Sequence, residues 1–124
     1  MTHLLITLAL AAAPHPIDQE RATCLAANPS TAGMVTCEQH AEEQWHGLMA
    51  ESLEALRAGE GPVTEALLRS QQAWTSYRDA EMDRMTALLD ATGGSLHRLN
   101  AAGRATTLVR DRALALDLQL RSTP

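Results

Sequence analysis

Apolar positions recur along this chain at intervals of three and four, the spacing of one face of an α-helix. The pattern is clearest in Leu67, Gln71, Trp74, Arg78, Met82, Met85, Leu88 and Leu89. No Gly, Pro or β-branched run interrupts Gln71–Met82, so the segment reads as helix. Two polar residues, Gln71 and Arg78, are embedded in this otherwise apolar stripe. Arg78 either buries its stem and keeps its head in water or pairs with an acid on a neighbouring helix.

Three further segments show helical patterning. Ile17–Ala27 reads as a short helix, with Asp18 near its N-terminus. Asn28-Pro29-Ser30-Thr31 is a break that ends in capping residues. A long helix follows from about Ala32 to Arg57, with Ala41, Trp45, Leu48, Met49, Leu53 and Leu56 on its apolar face. Gly59-Glu60-Gly61-Pro62 ends it, and Pro62 suits the first turn of the helix that carries the central stripe to about Ala91. Thr92-Gly93-Gly94-Ser95 reads as a turn, with Ser95 placed to cap the last helix. That helix shows Leu99, Ala102, Thr106, Val109, Ala113, Leu116 and Leu120 at alternating intervals of three and four. Strand-like alternation is absent. The predicted fold is all-α, a small bundle of three long antiparallel helices with a short N-terminal helix.

Composition agrees with helices. The chain has 124 residues, 45% of them apolar, and its only aromatic residues are Trp45, Trp74 and Tyr77. A core of Leu, Ala and Met suits helices better than sheets. The length is enough for one domain, placed at 14–124. Net charge is −5, without a single Lys and with scattered Arg, so a nucleic-acid partner is not expected. Met1–Ala13 has a short apolar core and closes on Ala11-Ala12-Ala13, which reads as a signal peptide. The protein is therefore expected in the periplasm or outside the cell. No membrane anchor is expected, because Arg21-Ala22-Thr23 before Cys24 is not the small-residue box of a lipoprotein.

Cys24 and Cys37 are the only cysteines. An even count in an exported chain suggests a disulfide between them, whereas a cytosolic chain would keep two free thiols.

Three blocks together resemble a known family. They are Thr31-Ala32-Gly33-Met34-Val35-Thr36-Cys37, then Leu67-x-x-Ser70-Gln71-Gln72-Ala73-Trp74-x-x-Tyr77-Arg78-Asp79-Ala80-Glu81, then Leu108-Val109-Arg110-Asp111-Arg112-Ala113. They look like the LprI-type lysozyme inhibitor domain over about residues 22–118. The resemblance implies a small helical, disulfide-bearing envelope domain whose motif and core residues are Trp45, Gln71, Trp74, Tyr77, Arg78, Asp79 and Arg112. It also implies two further cysteines, at Met82 and near Arg104, which this chain lacks. The family's acid and its Leu-Asn pair in the first long helix fall here at His46, Met49 and Ala50.

Catalytic chemistry finds little support. His40, Glu43 and His46, or Glu42 and His46, could touch a metal from one helix face, but a solvated face explains them. Ser70 and Ser76 lack a nucleophile elbow, and Gly93-Gly94 is a turn without a phosphate-binding Lys. A non-enzymatic protein is expected, with no cofactor and no metal, and monomeric. Its partner would be a basic lysozyme, met by an acidic surface, with Arg98 or Arg69 as candidate inhibitory groups and Leu96 or Leu114 as candidate apolar anchors. The alternative is a structural or protein-binding envelope module with no enzyme target.

Overall fold

The computed structural model describes residues 13–123, which form four helices and no strand. Helix α1 spans Pro16–Ala27, α2 Thr31–Arg57, α3 Pro62–Thr92 and α4 Ser95–Ser122. The leader expected over Met1–Ala13 lies, except for Ala13, outside the described residues.

The helix ends follow local chemistry. Pro16 opens α1 behind His15, whose ring nitrogen Nδ1 accepts the Ile17 amide at 3.1 Å. Asp18 lies in the first turn of α1, as expected, and its carboxylate also reaches Arg110 on α4. Ser30 caps α2 by accepting the Gly33 amide at 3.0 Å, the arrangement expected of a hydroxyl at this position. A Cβ on Gly33 would stand 2.9 Å from the Cβ of Asn28, so only glycine fits so tight an entry. Gly93 ends α3 at φ +66°, where an L side chain would be strained. The cap of α4 is Gly94, and Ser95 is the first helical residue rather than the cap.

Helices α2 and α4 pack along their lengths, with α1 laid across α2 and α3 set mainly against α4. The core holds Trp45 and Met49 from α2, Leu67 from α3, and Val109, Ala113 and Leu116 from α4. Buried Ala41, Ala105 and Ala113 let the two backbones come close. Thr106 Oγ1 lies 3.0 Å from the Glu38 carbonyl and 3.1 Å from that of Ala102, tying the pair further.

The centre of the α4 seam is buried as its spacing predicts, at Thr106, Val109, Ala113 and Leu116, while Leu99, Ala102 and Leu120 are half-buried. The stripe on α3 departs further from expectation. Leu67 and Met85 are buried, Trp74 is half-buried and packs on the core from its edge, and Leu88 is exposed. The cause is placement, because α3 touches α2 at few points and the middle of its apolar face is only partly covered.

Candidate functional site

The α3 motif builds an inner and an outer polar cluster, and a further network toward α4. In the inner one, Gln71 Oε1 accepts Nε–H of Arg112 at 2.8 Å, and its Nε2 lies 3.8 Å from the sulfur of Met49. Ser70 Oγ accepts a second Arg112 N–H at 3.2 Å. Gln71 thus links α2, α3 and α4 through one amide. Burial pushes the pKa of Arg112 down, and no neighbouring charge opposes the shift.

The outer cluster faces the gap between α2 and α3. The Arg78 guanidinium sits over the Trp74 ring, 5.4 Å from its centroid, a cation–π distance. Its Nη1 is 3.5 Å from His46 Nε2 and its Nη2 donates to Asp79 at 3.1 Å. Of the two arrangements open to Arg78, pairing with an acid on a neighbouring helix is not seen among the described residues; its carboxylate partner is Asp79, the next residue of α3. Asp111 pairs with Arg110 and Asp117 with Arg121, each on its own helix. Because α2 and α3 barely meet here, the Arg78 head keeps partial access to water and needs no deep counter-charge.

Tyr77 is 52% exposed, and its hydroxyl accepts an Arg104 N–H at 3.1 Å. Arg104 also donates to Glu81 at 3.2 Å, and Glu81 accepts from Arg84 at 2.7 Å. Hydrogen bonding to Arg84, aided by Arg104, holds the Glu81 carboxyl down at about 2, although partial burial opposes it. This network joins α3 and α4 where the family resemblance implies a second disulfide, between Met82 and Arg104.

Trp45 lies wholly in the core, apart from both clusters. His15 stacks on it at a centroid distance of 4.5 Å and the Arg110 guanidinium lies 5.6 Å from it. Its Nε1 is buried without a partner among the described residues.

A further assembly fixes α1; its disulfide is the one the cysteine count led us to expect, whereas its ion pairs were not foreseen from the sequence. Cys24 and Cys37 form a disulfide with Cα atoms 5.7 Å apart. Arg21 grips the buried carboxylate of Glu38, with Nε at 3.1 and 2.9 Å from its two oxygens. Asp18 accepts from Arg110 at 2.9 Å, and that bond lowers the Asp18 pKa against the opposing effect of burial. Glu20 accepts from Gln44 at 2.7 Å and lies 3.0 Å from His40. A signal existed for Glu38 alone, since it continues the α2 stripe at the interval of three before Ala41 and seven before Trp45. Its partner on α1 carried none.

The histidines weighed as metal ligands do not converge: His40 meets Glu20, and His46 lies between Glu42 and Arg78. Among the described residues no cluster of three His, Cys, Asp or Glu side chains could hold a metal ion. Arg69 and Arg98 are exposed, as is Leu96, whereas Leu114 is half-buried against the core and offers no free anchor. Surface grooves lie between α3 and α4, lined in part by Val63, Ala66 and Arg112, and between α1 and α4, lined in part by Asp18, Arg21 and Arg110.

The fold is similar to the crystal structure of an uncharacterised protein from Burkholderia thailandensis, with a TM-score of 0.82 and 28% identity. The likeness covers 90% of this chain and 56% of that one, so the chain spans only about half the length of its structural relative. A comparison with curated proteins finds no match. A family model described as lysozyme inhibitor LprI matches residues 24–116. That span takes in both cysteines, all of the α3 motif and Arg112, and the protein belongs to the LprI lysozyme inhibitor family.

Proposed function

We propose that this protein is an exported helical module, residues 14–124 after loss of its leader, that binds a lysozyme and lowers its activity. The observation that carries this is the family match over residues 24–116. The net charge of −5 fits a basic enzyme as partner. The Cys24–Cys37 disulfide fits an oxidising compartment, the periplasm or the exterior. Among the described residues no helix is long and apolar enough to cross a membrane. We read α2, α3 and α4 as an up-down-up bundle in which each long helix runs antiparallel to the next. The cross-helix pairs Met49–Gln71 and His46–Arg78, then Gln71–Arg112 and Glu81–Arg104, support this order.

The surface we assign to the partner is the rim formed by Trp74, Tyr77, Arg78 and Asp79, where an aromatic and a charged pair stand half-open beside the α2–α3 gap. Calorimetry of residues 14–124, as a monomer, against a basic lysozyme tests this at low and high salt, with cell-wall lysis followed in parallel. Heat release and protection at low salt, both fading toward 1 M, are expected, because the Debye length falls from about 10 Å at 0.1 M to about 3 Å at 1 M. No heat and no protection at low salt would end the claim for that enzyme class.

A second reading, an envelope module with no enzyme target, is favoured by one observation. Met49 is built into the core rather than shown to a partner, at one of the three positions, His46, Met49 and Ala50, where the resemblance implies an acid and a Leu-Asn pair. Binding to an envelope component without any effect on lysis would select it.

A further inference from the structure

The groove between α3 and α4 holds a charge that the fold leaves uncompensated. Of the half-buried arginines, Arg21, Arg78, Arg104 and Arg110 each meet a carboxylate. Arg112 is half-buried too, yet among the described residues it meets only the neutral oxygens of Gln71 and Ser70. Arg57, Arg69 and Arg98 also lack an acid partner, but they are exposed and water serves them. Partial dehydration of a cation without a counter-ion is unfavourable, and burial pulls the Arg112 pKa down. Two of the five guanidinium N–H groups are used, by Gln71 and Ser70, which fix the plane of the fork and leave the others for a ligand.

The surroundings define the ligand. Pro62, Val63, Ala66 and Leu116 give the groove apolar walls, and its volume is about 470 Å³, within the range of small-ligand sites. Pro62 and Val63 belong to the first turn of α3, whose cap residue Gly61 supplies no side-chain hydrogen bond. The positive end of that helix therefore adds to the field of Arg112. Glu65, the acid of that turn, is not among the lining residues. A single guanidinium in this groove, on a molecule of net charge −5, matches one negative charge better than a dianionic phosphate.

We infer that the α3–α4 groove binds a carboxylate attached to a short apolar tail, with Arg112 clamping the carboxylate and Val63, Ala66 and Leu116 holding the tail. Two sources share this chemistry, the C-terminal residue of a peptide that ends in an apolar side chain, and a medium-chain fatty acid.

The test is a titration of the full-length, 15N-labelled protein followed by NMR, with N-acetylleucine and octanoate as probes. N-acetylleucinamide and octan-1-ol serve as neutral counterparts, and inorganic phosphate as the competing anion. Saturable shifts at the Val63 and Ala66 amides and at the Arg112 Nε–H are expected with one or both carboxylates and not with the neutral pair. A response to N-acetylleucine alone assigns a peptide end, and to octanoate alone an acyl chain. Arg112→Met should weaken binding tenfold or more, the usual scale for losing a charged hydrogen-bond partner. Val63→Glu, at a residue 72% exposed and so harmless to folding, should weaken it comparably by repulsion. Equal binding of neutral and charged probes, stronger binding of phosphate, no saturable shift, or affinity unchanged in Val63→Glu would each overturn the inference. Lysozyme takes no part in this measurement, so its outcome is independent of the inhibitor proposal.

Discussion

Arg21 on α1 and Glu38 on α2 form a two-sided ion pair in which the carboxylate is almost fully enclosed and the guanidinium is about one-third open. Removing the arginine alone strands a buried charge. Arg21→Ala should therefore destabilise the protein by about 2–4 kcal/mol, somewhat under the 3–5 typical of a fully enclosed pair. The double variant Arg21→Met with Glu38→Met should recover most of that loss. Urea melts of the native protein and these two variants provide the check. If Arg21→Ala lost less than the error of the extrapolation, the pair would be shown to contribute nothing.

Reduction of Cys24–Cys37 should loosen α1 in particular. The two cysteines are 13 positions apart, and closing a loop of that size contributes about 3 kcal/mol in the chain-entropy model. No α1 side chain is buried, so little apolar packing remains to hold the helix once the bond is cut. Trp45, covered by His15 from the start of α1, should report the change as a red shift of its fluorescence in a Trp74→Phe background. An emission spectrum identical with and without reductant would contradict this.

Acid should act through Glu81 and Asp18. Both carboxyls ionise more readily in the folded chain than in an unfolded one. Each therefore contributes stability that is complete above its ordinary value and is lost as pH falls through its folded value. For Glu81 the window runs from 4.5 down to about 2, and for Asp18 it opens at 3.8. The melting temperature should drop across that window, and the Glu81→Gln, Asp18→Asn double variant should show a shallower slope. Equal slopes in the two proteins would refute the assignment.

The two tryptophans should differ in consequence. Trp45 is fully buried, and Trp45→Ala should destabilise by about 3–5 kcal/mol. Because its Nε1 has no partner among the described residues, Trp45→Phe forfeits volume but no hydrogen bond to a described residue. Trp74→Ala, at the edge of the core, should cost about 1–2 kcal/mol, the scale of partial burial. Equal losses for the two alanine variants, measured by the same urea melts, would show that the edge position is as tightly packed as the centre.

The helices were legible because their signals are local. The Asn28-Pro29 break, the hydroxyl of Ser30, Pro62 and the Gly93-Gly94 pair act within a few residues of themselves, and each boundary falls within a residue or two of its expected place. Which face of α3 would be covered was less legible, since it depends on where α2 lies and nothing between Leu67 and Leu89 encodes that. The motif was readable as a motif but not as contacts. Gln71 and Arg112 are 41 positions apart, and no spacing rule joins them. The same holds for Asp18 and Arg110, 92 positions apart. Ion pairs across helices form wherever the folded chain brings opposite charges together, which pattern alone does not reveal.

The sparse contact between α2 and α3 bears on how the molecule comes apart. Residues 31–57 and 95–122 close on each other along most of their length, while the segment between them is held chiefly at one flank and joined at both ends by glycine-bearing turns. Opening free energies differ between such units, and the least enclosed opens first. The amides of 67–85 should therefore exchange with heavy water faster than those of 38–52, through an excursion that leaves the α2–α4 pair intact.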